Sequence, residues 1–349
     1  MATESVQALN YTTEAIEHIN FMERGLRNNA PYTSYVMRQV VDMLHNSVKF
    51  ILPNCCDIIE PEEYRQAHLD LARLPYPVVT FEIPWVKEEP VPEVEGFPTQ
   101  PSTKRIALCW ESKEGFEPVP HCNDILKTYP EGGVFILPIA WSDTSARWIL
   151  GIGGVFFPYE NVMSKPDYDG LLPAAKMAMG ALRDAGYVKG NAGQFRAEPF
   201  IACADFADDM IKQAGSREKL YAQIIMDTRD ELQAFIQACS VLNCENVRTV
   251  SLSHKPEKKF VNGRRIKQVD KKQLPAYTYK VLQLSDEKSA FSGTGTGVKG
   301  GSKRMHLRRG HIRRRNDKLH WVRPTMVNAN SGHGLVDKDY AIKKKPKNE

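Results

Sequence analysis

Charge is divided along this chain in a way that limits what each part can fold into. Residues 1–253 carry 22 Lys+Arg against 34 Asp+Glu, a net of −12, whereas residues 254–349 carry 25 against 8, a net of +17. The acidic part has the apolar content to build a core. A basic module of this density is built to meet polyanions, nucleic acid first among them. An acidic body repels the same polyanion, so its expected partner is of another kind, most simply a protein.

At 349 residues, with 42% apolar and 26% charged residues, the chain has the composition of a soluble protein of two domains. No stretch approaches the roughly 20 apolar residues of a membrane helix. The opening MATESVQALNYTTEAIEHI lacks the basic and apolar regions of a secretory signal, so a cytoplasmic location and no membrane partner are expected. Seven cysteines (Cys55, Cys56, Cys109, Cys122, Cys203, Cys239, Cys244) form no CxxC and read as reduced, mostly packing thiols. Cys239 and Cys244 lack the second half of a metal site, and no cofactor is called for.

The spacing predicts an α+β body over residues 1–253, an antiparallel sheet with helices before and after it. Residues 3–28 place Val6, Leu9, Ile16, Ile19 and Phe21 near one helix face and end at the stop signal Arg27-Asn28-Asn29-Ala30-Pro31. Residues 33–51 continue with Tyr35, Val36, Val40, Leu44, Val48 and Ile51, and Pro61-Glu62-Glu63 opens a third helix that ends before Pro75. Strands are expected at Pro77–Trp85, Lys104–Glu111, Gly133–Trp141 and Arg147–Phe157, the last two joined by a hairpin loop at Ser142–Ala146. Gly151, Gly153 and Gly154 read as a bulge or close packing inside a strand rather than a dinucleotide loop. Helices are expected at 170–186, 200–214 and 217–241, the last with a stripe of Leu220, Ile224, Thr228, Phe235, Ile236 and Cys239, then a strand at Val247–Leu252. Asp205, Asp208 and Asp209 share a helix face and read as solvated, as do Glu60, Glu62, Glu63, Glu88, Glu89, Glu93 and Glu95.

Beyond the body, 254–291 is a basic connecting segment with a strand at Tyr277–Leu284, 292–302 a glycine-rich linker, and 303–349 a basic tail. The linker lacks the Gly-Lys-Ser/Thr ending of a phosphate loop. In the tail, Lys303–Asn328 (KRMHLRRGHIRRRNDKLHWVRPTMVN) reads as a small β-hairpin domain turning at Asn316-Asp317-Lys318. A bulge at Gly310 would put Met305, Leu307 and Ile312 on an inner face and His306, Arg308, His311, Arg313 and Arg315 on an outer one. Arginine presents a planar fork to phosphate oxygens, and each phosphate neutralised releases counterions. Trp321 and His320 on the facing strand are candidates to stack an unpaired base, with a place in a small core as the other role for Trp321. Arg304, Arg309 and Arg323 complete the candidate RNA-contacting set. His306, His311 and His320 also supply the residue types of metal-independent RNA cleavage, a base, an acid and neighbouring cations, so a ribonuclease is one alternative. A plain phage or plasmid nucleic-acid-binding protein is another.

The order of these residues resembles the C-terminal signature of the phage and mobile-element family that includes the type V-A anti-CRISPR. Arg304, His306, Arg308, Arg309, Gly310, His311, Trp321, Arg323 and Pro324 fill the signature's places, although Ile312 stands where members often carry an aromatic. Fainter similarity runs through Phe81–Trp85, Gly133–Gly153, the Leu242–Glu245 helix end and the His254-Lys-Pro step. The resemblance implies an anti-defence protein of a bacterial host's cytoplasm that recognises a nascent target polypeptide, as with a type V CRISPR effector, and promotes loss of its mRNA. The basic module would then contact RNA or the ribosome, with cutting left to host ribonucleases.

Overall fold

A computed structural model describes residues 8–59, 64–87, 93–164, 172–188, 194–244, 247–253 and 275–284, with short strands at 260–261, 264–265, 306–308, 311–315, 318–322 and 325–327. Two helices come first, α1 (Tyr11–Leu26) and α2 (Pro31–Asn46), separated at the expected stop signal. Strand β1 (Val48–Ile51) follows, then α3 (Gln66–Leu71), β2 (Val78–Pro84), β3 (Lys104–Glu111), β4 (Gly133–Ser142), β5 (Arg147–Leu150) and β6 (Gly153–Pro158). The body continues with α4 (Pro173–Asp184), β7 (Glu198–Ile201), α5 (Ala207–Ala214), α6 (Arg217–Asp227), α7 (Arg229–Leu242) and β8 (Val247–Leu252). Two-residue strands β9 (Phe260–Val261) and β10 (Arg264–Arg265) pair with each other, and β11 (Tyr279–Leu284) returns to the body.

These strands make an α+β fold around one nine-stranded sheet of order β7-β6-β4-β3-β2-β1-β11-β8, with β5 alongside β4. The sheet is mixed rather than antiparallel throughout, because β1 runs parallel to both β2 and β11. Alternation along each strand sends side chains to opposite faces, and helices cover both. On β3, Ile106, Leu108 and Trp110 face α1 and α2, while Ala107 and Cys109 face the side that α4, α6 and α7 cover. Each large side chain fully withdrawn from water contributes about 1.5–3 kcal/mol, and Trp110, Trp148, Phe81, Phe135, Phe156 and Phe235 are all fully buried.

Several boundaries differ from the sequence expectation. The second helix stops at Asn46, and Val48 and Ile51 belong to β1 instead. Their apolar spacing fits either element over so short a run. Phe21 points outward from α1, 68% exposed. The expected helix at 200–214 is a strand, a single 3₁₀ turn at Ala204–Phe206, and α5. The expected helix at 217–241 is two, broken at Thr228, whose hydroxyl turns back to the Ile224 carbonyl at 2.8 Å. The strand expected in the connecting segment is β11, seated inside the body's sheet between β1 and β8.

Gly153 and Gly154 are the close-packing positions the sequence suggested. A Cβ on Gly153 would meet the Phe200 carbonyl of β7, and one on Gly154 the Ile136 carbonyl of β4. All seven cysteines are free thiols, with only Cys55 partly exposed. No helix among the described residues is long and apolar enough to cross a membrane.

Candidate nucleic-acid interface

Four strands carry the tail's backbone. Strand β12 (His306–Arg308) pairs antiparallel with β15 (Thr325–Val327), and β13 (His311–Arg315) with β14 (Lys318–Val322). The inner ladder closes on the pair Arg315 and Lys318, so Lys318, expected in the turn, stands in a strand. His306 is opposite Val327 and His311 opposite Val322, five positions on along one strand and five back along the other. The bulge expected at Gly310 lies outside the described residues.

The inner ladder sorts its residues without a bulge. Cross-strand partners share a face and faces alternate along a strand. By register, His311, Arg313 and Arg315 fall on one face with Lys318, His320 and Val322. Ile312, Arg314, Leu319 and Trp321 fall on the other, with Ile312 directly opposite Trp321. By register Trp321 shares its face positions with Ile312, Arg314 and Leu319, not with Arg313 and Arg315. His306 and Arg308 belong to the outer ladder, while His311 and His320 lie on one face of the inner one. Arg304, Arg309, Gly310 and Arg323 lie outside the described residues, as do the glycine-rich linker and Glu60, Glu62, Glu63, Glu88 and Glu89. Lys318 completes the cationic face and was hidden by the turn signal of Asn316-Asp317 before it.

In the body the expected acidic helix face is put to structural use. Asp205 accepts a hydrogen bond from the backbone N–H of Thr33 at 2.8 Å, capping the start of α2, and Asp209 pairs with Lys212 at 3.0 Å. Asp208 is exposed, as are Glu93 and Glu95. Among the described residues no group of His, Cys, Asp and Glu has the arrangement of a metal site.

Three charged residues escaped notice, Glu82 and Arg105 inside expected strands and Lys49 inside the helix expected at 33–51. Glu82 of β2 is fully buried, and its carboxylate accepts from the N–H groups of Tyr11 (3.2 Å) and Thr12 (2.9 Å) and from the Tyr279 hydroxyl (3.2 Å). It caps α1 and holds β11 at once. Burial pushes its carboxyl up while these donors pull it down. Lys49 of β1 is 2% exposed, donates to the Ser47 carbonyl at 2.9 Å and lies 4.1 Å from the centre of the Tyr277 ring. Arg105 of β3 pairs with Glu231 at 2.9 Å and Asp230 at 3.3 Å in the first turn of α7. A lone charge in an apolar strand such as PVVTFEIPW was the available signal.

No protein-family model, no curated protein and no solved structure matches the chain.

Proposed function

We propose that this protein is an anti-CRISPR-like adaptor. Its α+β body engages a nascent target polypeptide, and its basic tail contacts RNA or the ribosome so that the message is degraded by host ribonucleases. The observation that supports the RNA arm best is the register of the inner ladder, which gathers His311, Arg313, Arg315, Lys318 and His320 on one face. Five cationic or protonatable positions within three residue pairs make a strip suited to a phosphate backbone. The message-loss arm rests on the C-terminal signature and on the division between a −12 body and a +17 remainder.

Binding of a labelled single-stranded RNA to the full chain across a salt series tests the RNA arm. Arg313→Glu with Arg315→Glu is expected to weaken binding more than tenfold at 0.1 M salt. It should also flatten the log–log salt slope by about 0.7 for each phosphate that is no longer neutralised. Arg314→Glu, on the opposite face, is expected to change the slope by less than half as much. Equal effects from both faces would contradict a one-sided interface.

A metal-independent ribonuclease is the second reading, favoured by the shared face of His311 and His320. RNA cleavage that survives EDTA and disappears in His320→Ala would establish it over the adaptor.

A further inference from the structure

The body's sheet has three margins where a further strand could add, and two of them are covered. At β5 the helix α1 packs alongside, and the Trp148 backbone N–H is taken up by His18 Nδ1 at 2.9 Å. At β7 the helix α6 packs over the strand and its neighbour β6, and the strand is only four residues long with Pro199 among them, which blunts the edge. The third margin is β8. It pairs with β11 over six residue pairs, Val247–Leu284 to Leu252–Tyr279, and among the described residues no strand pairs with its other side.

Strand β8 also has few of the devices that normally protect an edge, Arg248 being its one charged residue. Its sequence VRTVSL contains no proline, no glycine, no lysine and no acidic residue, and three of its residues are β-branched. Proteins usually blunt an edge of this kind with charge, proline or a bulge. Val250, at its centre, is 47% exposed, one of few large apolar side chains on the surface. In an antiparallel strand every second residue turns its N–H and C=O away from its partner, so β8 offers a row of outward donors and acceptors.

We infer that the outer edge of β8 takes an extended segment of the target polypeptide as an added strand, an inference that rests on the polypeptide-recognition reading above. The size of the edge selects this occupant. Six residues of strand span about 20 Å, and one such pairing falls far short of the roughly 1,200 Å² that a stable pair of folded copies buries. A single extended peptide needs no more than this: main-chain bonds hold it, and alternate side chains give selectivity. The segment should be β-prone, with a β-branched or aromatic residue beside Val250 on the same face.

Photo-crosslinking in cells with the full chain tests the assignment. A p-benzoylphenylalanine replaces Val250 in one version and Phe21, exposed on α1, in the other. The expected result is an adduct at 250, absent at 21, to one identified polypeptide at one mapped segment. A synthetic peptide of that segment should then slow amide exchange at Val247–Leu252 at least tenfold, and Val250→Lys should weaken its binding at least tenfold. Four results would overturn the inference: no adduct at 250, equal adducts at 21, an adduct between two copies of this chain, or peptide binding that leaves β8 exchange unchanged. If the adduct and the exchange protection hold but no ribosome-bound message accompanies the polypeptide, the edge assignment stands and the message-loss reading fails.

Discussion

Where β3 passes beneath the first turn of α7, Arg105 shares its guanidinium between Glu231 and Asp230 and stacks 5.2 Å from the Trp85 ring centre. Glu231 is fully buried, and burial pushes its carboxyl up against the pull of Arg105. Removing one partner strands a buried charge, at a cost of about 3–5 kcal/mol, whereas replacing both by apolar side chains is often neutral. Arg105→Met is therefore expected to lower unfolding free energy in urea by that amount, and adding Glu231→Leu to recover most of it. A double variant as unstable as the single would show that the pair itself holds α7 on the sheet.

Lys49 gives the molecule a signature in pH. Burial lowers its ammonium from 10.5 to about 8, with Glu82 opposing. The unfolded chain therefore holds this proton more tightly than the folded one. Below pH 8 the cost of the buried charge is present in full, and it is relieved as pH rises from about 8 toward 10.5. Buried thiols such as Cys109 and Cys239, which burial pushes up, act in the opposite direction over this range, so the test is the difference between two proteins: Lys49→Met should have the higher urea midpoint at pH 7.5, and that gap should shrink by pH 9.5. These buried charges were legible only as exceptions in apolar strands. The sequence does not say which partner a lone Glu82 or Lys49 will find, since Tyr279 and Tyr277 arrive from far along the chain.

Among the elements, β3 was read from the sequence with its observed bounds, because long apolar alternation is the strongest local signal. The β4–β5 hairpin was legible for the same reason, but the single strand expected at Arg147–Phe157 is two, β5 and β6, parted at Gly151 and Ile152 and both paired with β4. What escaped was set by tertiary packing: β1 joined to the tail of a helical pattern, β11 drawn into the sheet, and the break at Thr228. The bulge expected at Gly310 falls outside the described residues, and within the inner ladder plain alternation groups His311, Arg313 and Arg315 with Lys318 and His320 by register. Glycine carries a sharper consequence in the body. Gly153→Ala would drive a methyl group into the Phe200 carbonyl and unseat β7 from β6. We expect a loss of about 3 kcal/mol or more, seen as a lowered thermal midpoint, while Gly180→Ala in α4, with open space around it, should be neutral or stabilising.

At the scale of the whole molecule, an acidic, helix-covered sheet with one lightly protected edge is joined to a basic hairpin with one cationic face. Each alone is ordinary: in the proposed reading the first takes a peptide and the second a nucleic acid. Their union in one chain is what makes nascent-chain recognition the central claim, because a ribosome presents a polypeptide and its message together. The most direct measurement is crosslinking of the tagged protein in cells, followed by sequencing of the co-purifying RNA with and without puromycin. Nascent-chain recognition predicts enrichment of one or a few messages from their 5′ coding regions, abolished when puromycin releases the nascent chains. RNA that co-purifies without message preference and resists puromycin would contradict it.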